Sequence, residues 1–430
     1  MNNYNLPDVN LNLNVRGLPQ SATLLINEKS DELRKQGREV FKLGLGQSPF
    51  PVPQSVVEEL KINAHQKEYL PVKGLTKLRE AVAEYHCKKD GLCYSPDDVL
   101  IGPGSKELMF LLQYVYYGDL VIPTPSWVSY SPQAQIIGRQ VRWLRTSKNN
   151  NWLFTAEELE AQCKDDYLKP RIVILNYPSN PVGVSYTEDQ LIKIADVARK
   201  HKIILLSDEI YAELHHKGEH TSIAKYYEEG TIISSGLSKW CGAGGWRLGT
   251  FTFPASLRWL LDSIAVMASE TFTSTSAPIQ YAAVRAFQGG SDIESYLWRT
   301  RWILDKLGNK ISKQLQTEGI DTPKPEGAFY LFLDFCNFKE KLKEKNIYDN
   351  SKLCSRLFEE TGVAILPGQV FGMKPEELTA RLAYVDIDGV AAMDAALKIN
   401  SKDEIDDVFL QNYCPNVLKA ISLITDWVNS

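Results

Sequence analysis

Short continuous apolar runs recur through the middle of the chain, and they constrain its fold more than any other feature. They lie at 120–122, 172–175, 203–206, 232–233 and 248–253. Runs that are continuous rather than alternating are typical of strands buried on both faces of a mainly parallel sheet. Segments with helix signals separate them, including a capping-box pattern that begins at Thr187. The sequence therefore predicts an α/β domain with right-handed crossovers.

The pattern changes after a helical stretch at about 293–316. Segments 328–333, 363–366 and 381–385 have the composition of short strands and alternate with helical segments. They predict a second, smaller α+β domain. Residues 1 to about 20 alternate only weakly and are expected to form a short arm.

Composition excludes several classes of protein. With 430 residues, 44% hydrophobic and 23% charged, the chain falls in the ordinary globular range. A formal charge of -5 and the absence of a long basic block argue against a nucleic-acid partner. No run approaches the roughly 18 apolar residues of a membrane span, and the N-terminus lacks a signal-peptide pattern, so we expect no membrane association.

The cysteines show no C-x-x-C pair that would indicate zinc or redox chemistry. The seven are Cys87, Cys93, Cys163, Cys241, Cys336, Cys354 and Cys414. An odd, scattered set favours reduced thiols in a cytoplasmic protein. His215, His216 and His220 lie in a polar segment beside Glu213, where we expect a solvated surface and no metal site.

Polar side chains follow the ends of three predicted strands. Asn180 and Asp208 each follow an apolar run, and Lys239 follows the run at 232–233. A single loop lysine is usually solvated, but in open α/β sheets ligands bind beyond the carboxyl ends of strands. We therefore expect these three side chains to converge on one crevice.

The chemistry of this set matches the needs of pyridoxal phosphate. The cofactor aldehyde needs an amine, for which Lys239 is the candidate, and the ring nitrogen needs a carboxylate, for which Asp208 is the candidate. Tyr211, Asn180 and Arg247 add a phenol, an amide and a guanidinium nearby in the sequence.

Through these motifs the chain resembles the fold-type I pyridoxal-phosphate enzymes, specifically the class I/II aminotransferases and among them the bacterial-type aspartate aminotransferases. The resemblance runs from about Ser21 to the C-terminus. It implies a large cofactor-binding domain at 53–310, with a mainly parallel seven-stranded sheet flanked by helices. Residues 1–52 would form an N-terminal arm and part of the small domain, and 311–430 the rest of that substrate-closing domain.

The resemblance also implies roles around the cofactor ring. Lys239 matches the lysine that bonds the aldehyde and then moves the proton at the substrate α-carbon. Asp208 matches the carboxylate paired with the ring nitrogen, and Tyr211 and Asn180 match donors to the phenolate oxygen. Trp127 matches the aromatic residue stacked on the ring.

A phosphate site is predicted at the start of a helix. Gly104, Ser105 and Lys106 follow a short apolar run and open a predicted helix over 107–117, where free N–H groups suit an anion. Arg247 would add a bidentate grip. Neither this segment nor Gly44-Leu-Gly46 completes G-x-G-x-x-G, so a dinucleotide fold is not supported.

Two further phosphate contacts come from the resemblance. Gly236 stands where relatives often carry a serine, so Ser238, or alternatively Ser235, would supply that contact. Tyr69 matches a tyrosine that reaches the phosphate of the neighbouring subunit. This match implies a homodimer with active sites at the interface.

Substrate contacts are implied in the same way. Arg381 matches the arginine that grips the α-carboxylate, with Gly46 and Asn180 beside it, and a planar guanidinium suits this task. Thr23 belongs to a segment that closes over the substrate. In bacterial-type aspartate aminotransferases, a lysine at the position of Lys106 touches the distal carboxylate of a dicarboxylic substrate.

These matches predict a ping-pong aminotransferase that favours aspartate or glutamate with a 2-oxo acid. Aromatic, alanine-type or kynurenine-type transamination remains an alternative, as does a lyase or synthase of the same fold. A non-catalytic cofactor-binding regulator is a further alternative. It would need an added DNA-binding domain, and only about 20 residues precede the match.

Overall fold

The computed structural model describes residues 10–164, 166 and 169–430. The strands are β1 (Phe41–Lys42), β2 (Val99–Gly102), β3 (Asp119–Thr124), β4 (Val141–Arg145), β5 (Arg171–Asn176), β6 (Ile204–Asp208), β7 (Thr231–Gly236), β8 (Gly249–Thr252), β9 (Tyr330–Asp334), β10 (Val363–Ala364), β11 (Leu366–Pro367) and β12 (Thr379–Ala383). The helices are α1 (Ala22–Lys35), α2 (Gln54–Asn63), α3 (Thr76–Asp90), α4 (Ser105–Val115), α5 (Tyr130–Ile136), α6 (Ala156–Cys163), α7 (Glu188–Lys200), α8 (Arg258–Thr271), α9 (Ala277–Gln288), α10 (Ser291–Thr317), α11 (Lys339–Glu344), α12 (Asn350–Thr361), α13 (Gly389–Ala396), α14 (Asp407–Tyr413) and α15 (Pro415–Asn429).

A seven-stranded sheet forms the centre of the large domain, in the order β2-β8-β7-β6-β5-β3-β4. Only β8 runs antiparallel to its neighbours. The apolar runs of β5 and β6 are buried along their length, because helices cover both faces. The predicted mainly parallel sheet with flanking helices is therefore confirmed.

The carboxyl ends of the central strands position the functional loops. In the register of the sheet, Asn176 at the end of β5 lies beside Asp208 at the end of β6. Asp208 in turn lies beside Ser234 of β7. The loops that follow β5, β6 and β7 therefore leave the sheet at one edge.

The sequence analysis missed strand β4 and placed the start of α4 two residues late. β4 is an edge strand, and its residues Val141, Arg142 and Trp143 are only partly buried, so it lacks the continuous apolar signal. α4 begins at Ser105 after Gly104, which adopts a left-handed φ of +92°. The earlier start brings Ser105 and Lys106 into the first helical turn.

The smaller domain contains the three-stranded antiparallel sheet β11-β12-β9. A separate parallel pair, β1 with β10, joins Phe41 near the N-terminus to Val363. Both chain ends therefore contribute to the small domain, as predicted. Because α10 runs continuously across residue 310, we propose that the boundary between the domains lies within this helix.

The expectation that all cysteines are reduced was wrong for one pair. Cys87 and Cys93 form a disulfide, with their Cα atoms 4.4 Å apart. α3 ends at Asp90, and Gly91 reverses the chain with a φ of +71°, so Cys93 returns alongside the last helical turn. This spacing is not the C-x-x-C pattern that the sequence analysis searched for.

The expectation of a solvated histidine loop was also wrong. His215, His216 and His220 are buried, because residues 326–328 of the small domain cover this segment. The His216 amide donates to the Glu326 carbonyl over 2.8 Å. His220 lies 3.0 Å from the buried Glu209 carboxylate, which is a contact within the large domain.

Among the described residues, the one cluster with three possible metal ligands within reach of one another is Asp321, Asp334 and Cys336. Lys148 forms ion pairs with both carboxylates, at 2.6 Å and 2.9 Å. Its ammonium already offsets one of their two negative charges.

None of the described helices is long and apolar enough to cross a bilayer. Of the predicted arm, residues 1–9 lie outside the described residues. Residues 10–20 precede α1, with Leu11 and Leu13 exposed.

Candidate active site

A cavity of about 450 Å³ lies beyond the carboxyl ends of the central strands. It brings together residues predicted from sequence positions that span most of the chain. Those that line it are Thr23, Gly46, Ser105, Lys106, Trp127, Asn180, Asp208, Tyr211, Ser238, Lys239, Arg247 and Arg381. The expected convergence on one crevice is therefore observed.

Lys239 projects its amine into this cavity. Its Nζ donates a hydrogen bond to the Gly46 carbonyl over 2.7 Å. Desolvation, with the nearby positive charge of Arg381, lowers the pKa of Lys239 to about 8. A lowered pKa increases the fraction of neutral amine, which is the nucleophilic form.

Asp208 is buried at the end of β6. The Tyr130 hydroxyl donates to its Oδ2 over 2.5 Å, and the Ser234 hydroxyl lies 3.4 Å from Oδ1. Burial raises the pKa of Asp208 to about 6, although the Tyr130 hydrogen bond opposes the rise. A buried carboxylate in this state is stabilised by a cation placed against it, which is what a protonated ring nitrogen would supply.

Asn176 connects two of the predicted residues. Its side-chain amide donates to the backbone carbonyl of Asp208 over 2.8 Å. Its oxygen accepts from the backbone amide of Asn180 over 2.7 Å. Asn176 thus fixes the Asn180 loop to the end of β6, so the two loops keep one relative position.

Arg381 is only 1% exposed and lines the cavity. It donates to the Asn180 side-chain oxygen over 3.1 Å and to the Gly44 carbonyl. Its Nε has no hydrogen-bond partner among the described residues. A buried guanidinium whose hydrogen-bond acceptors among the described residues are all neutral oxygens favours an anionic ligand, because a carboxylate would neutralise its charge.

The predicted phosphate site is a cationic end of the cavity. Ser105 and Lys106 start α4, so their N–H groups have no partner within the helix. Arg247 packs against Gly104, where an added Cβ would lie 2.2 Å from the arginine Nη2. Because Gly104 also has a φ of +92°, which side chains rarely adopt, glycine is favoured at this position. Of the two serines considered, Ser238 lines the cavity.

Lys106 faces the cavity. Its Nζ lies 5.1 Å from the centroid of the Trp127 ring. Partial burial and the charge of Arg247 lower the pKa of Lys106. The Lys106 side chain is solvent-exposed and also lines the cavity.

Two predicted residues lie outside the cavity lining. Gly104 stands behind Arg247. Tyr69 is 88% exposed and lies on the surface of the chain.

Sequence reasoning missed Tyr130, Asn176 and Tyr330. Asn176 and Tyr330 line the cavity, and Tyr130 holds Asp208. Tyr130 lies three residues after Trp127 in a motif already singled out, and Asn176 ends a predicted strand. Those positions were the only available signal, since the partners are distant in sequence.

Comparisons with known proteins agree with this geometry. Residues 38–390 match the family described as aminotransferase class I and II. The chain belongs to that family. It is 32% identical over 380 residues to the aspartate aminotransferase of Bacillus subtilis (strain 168), covering 86% of this chain and 93% of the relative.

Other relatives carry related names. An asparagine–oxo-acid transaminase of Streptococcus mutans is 31% identical, over 87% of this chain and 94% of the relative. The structure of an aspartate aminotransferase from Thermus thermophilus with maleate superposes with a TM-score of 0.82 and 26% identity. It covers 97% of this chain and 100% of that one. The chain is an enzyme that transfers amino groups.

Proposed function

We propose that this aminotransferase binds pyridoxal phosphate in the cavity and moves an amino group from an L-amino acid to a 2-oxo acid in two half-reactions. One observation carries the proposal: a single cavity is lined by the Lys239 amine, a buried carboxylate and a buried guanidinium that, among the described residues, donates hydrogen bonds only to neutral oxygens. When bound, the cofactor supplies an electron sink for charge that develops at the substrate α-carbon. Cytoplasmic amino-acid metabolism is the setting that we propose for this chemistry.

The chain would hold the cofactor at both ends. Lys239 bonds the aldehyde and, once released, carries the proton at the substrate α-carbon. Asp208 pairs with the ring nitrogen, and Tyr211 and Asn180 face the phenolate oxygen. Trp127 supports the ring face by stacking.

The phosphate would lie in the cationic end of the cavity. The N–H groups at the start of α4 attract the anion together with the Ser105 and Ser238 hydroxyls, and Arg247 supplies a bidentate positive group. Gly104 allows the positive φ at the start of α4 and leaves Arg247 close to the backbone there.

The substrate would bind between Arg381 and Lys106. Arg381, beside Asn180 and the Gly46 backbone, takes the α-carboxylate. Lys106, with Thr23 beside the cavity, takes the distal carboxylate of aspartate or glutamate. The names of the relatives support this class, although one is called an aspartate/prephenate aminotransferase, so a bulkier cyclic 2-oxo acid is the second candidate acceptor.

Replacing Lys106 with methionine is expected to reduce the preference for aspartate over phenylalanine. A charged hydrogen bond contributes about 1.5–3 kcal/mol, so the ratio of the two kcat/KM values should fall by roughly tenfold to a hundredfold. Lys61→Met, which changes an exposed lysine paired with Glu58, is the control. A ratio unchanged in Lys106→Met, or one that favours phenylalanine in the wild type, would exclude a dicarboxylic substrate.

The reaction class is tested by spectroscopy combined with product analysis. The purified protein should be yellow, and one amino acid alone should convert the cofactor stoichiometrically to its amine form and release one equivalent of 2-oxo acid. A lyase or synthase of the same fold would instead turn over one substrate continuously without accumulating that form. A protein that does not bind the cofactor would contradict both hypotheses, the enzyme and the non-catalytic regulator.

We further propose a homodimer with active sites at the interface. Tyr69 is 88% exposed, and Ile62 and Val266 are 63% and 65% exposed. Val266 of α8 lines a surface hollow together with residues 71–73, which follow Tyr69 closely in the chain. Large exposed apolar side chains of this kind suit contact with a second copy of the chain.

Sedimentation should therefore give twice the mass of one chain. Tyr69→Phe removes a hydrogen-bond donor to an anion and should raise the dissociation constant for the cofactor by roughly tenfold, with the dimer retained. Tyr117→Phe, another exposed tyrosine, should leave that constant unchanged. A monomer with full cofactor affinity would contradict the proposed interface.

A further inference from the structure

Tyr330 lies where three parts of the cavity meet. It begins β9 and is only 1% exposed. Its hydroxyl is 2.7 Å from the Tyr211 hydroxyl. The guanidinium carbon of Arg381 lies 4.7 Å from the centroid of its ring. Tyr330 thus contacts both the residue proposed to face the cofactor oxygen and the residue proposed to grip the substrate.

Two glycines fix the position of Tyr330. A Cβ at Gly46 would lie 2.0 Å from the Tyr330 hydroxyl, so the loop at Gly46 approaches it directly. Gly183 has a φ of +81°, and a Cβ there would lie 2.5 Å from the Tyr330 carbonyl. The loop at Gly46 thus lies against the Tyr330 side chain, and Gly183 lies against the Tyr330 backbone. The hydroxyl therefore stays beside Tyr211.

The direction of the hydrogen bond between the two hydroxyls decides what Tyr211 can do. Burial raises the pKa of both Tyr211 and Tyr330, so each keeps its single proton. If Tyr211 donates to Tyr330, it has no proton left for a ligand. If Tyr330 donates, Tyr211 is free to donate into the cavity and is polarised by the bond that it accepts.

We propose that Tyr330 is a positioning residue that donates to Tyr211, directs the Tyr211 proton toward the cofactor phenolate oxygen, and supports Arg381 with its ring face. This inference rests on the proposed function. It deepens that function by connecting the cofactor side of the cavity to the substrate side through one side chain.

A measurable consequence concerns the cofactor bound to Lys239. A hydrogen bond donated to the phenolate oxygen withdraws electron density and lowers the pH at which the bound cofactor loses its proton. That pH is the midpoint of a visible absorbance titration of the holoenzyme without substrate. The charged groups around the tyrosine pair are Lys239, Asp208 and Arg381, and all three remain in the variants below.

Four holoenzymes are compared: wild type, Tyr211→Phe, Tyr330→Phe and the double variant. Tyr211→Phe should raise the midpoint most. Tyr330→Phe should raise it by a smaller amount, roughly half a pH unit, because Tyr211 is no longer polarised. The double variant should match Tyr211→Phe alone, since the Tyr330 hydroxyl affects the midpoint only through Tyr211.

The sign of the shift tests the proposal. If Tyr211 donated to Tyr330 in the wild type, Tyr330→Phe would free its proton, and the midpoint would fall. A fall, no change, or additive shifts in the double variant would each overturn the inference. Tyr384→Phe, which changes a buried tyrosine outside the cavity lining, should leave the midpoint unchanged.

The contact with Arg381 is tested by the binding of maleate, a dicarboxylate, to three holoenzymes: wild type, Tyr330→Phe and a further variant, Tyr330→Leu. Tyr330→Phe keeps the ring, so the dissociation constant should change by less than about twofold. Tyr330→Leu removes the ring and should raise it by roughly fivefold to tenfold. Equal constants for the two variants would overturn the supporting role of the ring.

If the wild type and Tyr211→Phe show no titrating visible band, the proposed function itself fails, which is a separate result.

Discussion

Lys239→Ala is expected to lower kcat for transamination by roughly a thousandfold to ten-thousandfold. The variant should still bind the cofactor through its phosphate, because the phosphate end of the cavity is built by other residues. It would lack the amine that bonds the aldehyde and carries the α-carbon proton. Lys106, the other lysine in the cavity lining, has its Nζ 5.1 Å from the centroid of the Trp127 ring and has a separate proposed role.

The measurement combines single-turnover kinetics with borohydride reduction. Reduction of the wild type should bleach the yellow colour and leave the label on Lys239, whereas Lys239→Ala should release its cofactor on denaturation. Lys106→Met serves as the matched control, since it removes a lysine from the same cavity and should retain labelling at Lys239. Full turnover by Lys239→Ala would eliminate the proposed mechanism.

The sheet and the positions of the loops could be predicted because their signals are local. Strands β5 and β6 are buried on both faces, so their sequences are continuously apolar. The polar residues that follow them, Asn180 and Asp208, lie at the same sheet edge for topological reasons. β4 gave no such signal, because an edge strand is only partly buried.

Most of the missed features depend on contacts between distant segments. His216 is buried because residues 326–328 of the small domain cover it. Tyr330 contacts Tyr211, 119 residues away in sequence. Neither contact leaves a periodic or compositional pattern. The Cys87–Cys93 disulfide was missed for a different reason: it depends on a reversal of the chain at Gly91, which spacing alone did not reveal.

The roles proposed for the cavity residues are consistent with their electrostatics. Arg381 and Asp208 are both buried, and neither has an ion-pair partner of opposite charge among the described residues within the cavity. Buried charges without such partners reduce stability. A ligand that carries an anion for Arg381 and a cation for Asp208 would relieve both, and an amino-acid substrate with a pyridinium cofactor carries those groups.

Asp208→Asn is expected to lower kcat by roughly a hundredfold to ten-thousandfold, while the fold is retained. A neutral amide cannot stabilise a protonated ring nitrogen, so the cofactor would become a poor electron sink. Asp208 is hydrogen-bonded to Tyr130 at 2.5 Å, and Tyr130→Phe keeps the carboxylate. That control should lose less than about tenfold. Near wild-type rates for Asp208→Asn would assign the ring-nitrogen role to another residue.

The same substitution should have the opposite effect on the stability of the protein without cofactor. Burial raises the pKa of Asp208 from its ordinary 3.8 to about 6. The folded state therefore binds this proton more tightly than the unfolded state, and stability is lost as the pH rises from about 4 to 6. The loss amounts to roughly 3 kcal/mol.

Asp208→Asn has no such titration, so its free energy of unfolding relative to the wild type should rise between pH 4 and pH 7. Urea unfolding at both pH values measures this difference, and saturating cofactor should cancel it in the wild type, because the ring nitrogen then neutralises the carboxylate. A difference independent of pH would show that Asp208 ionises in the folded protein as readily as in the unfolded chain, and the case for a buried carboxylate that needs a cationic ligand would then fail.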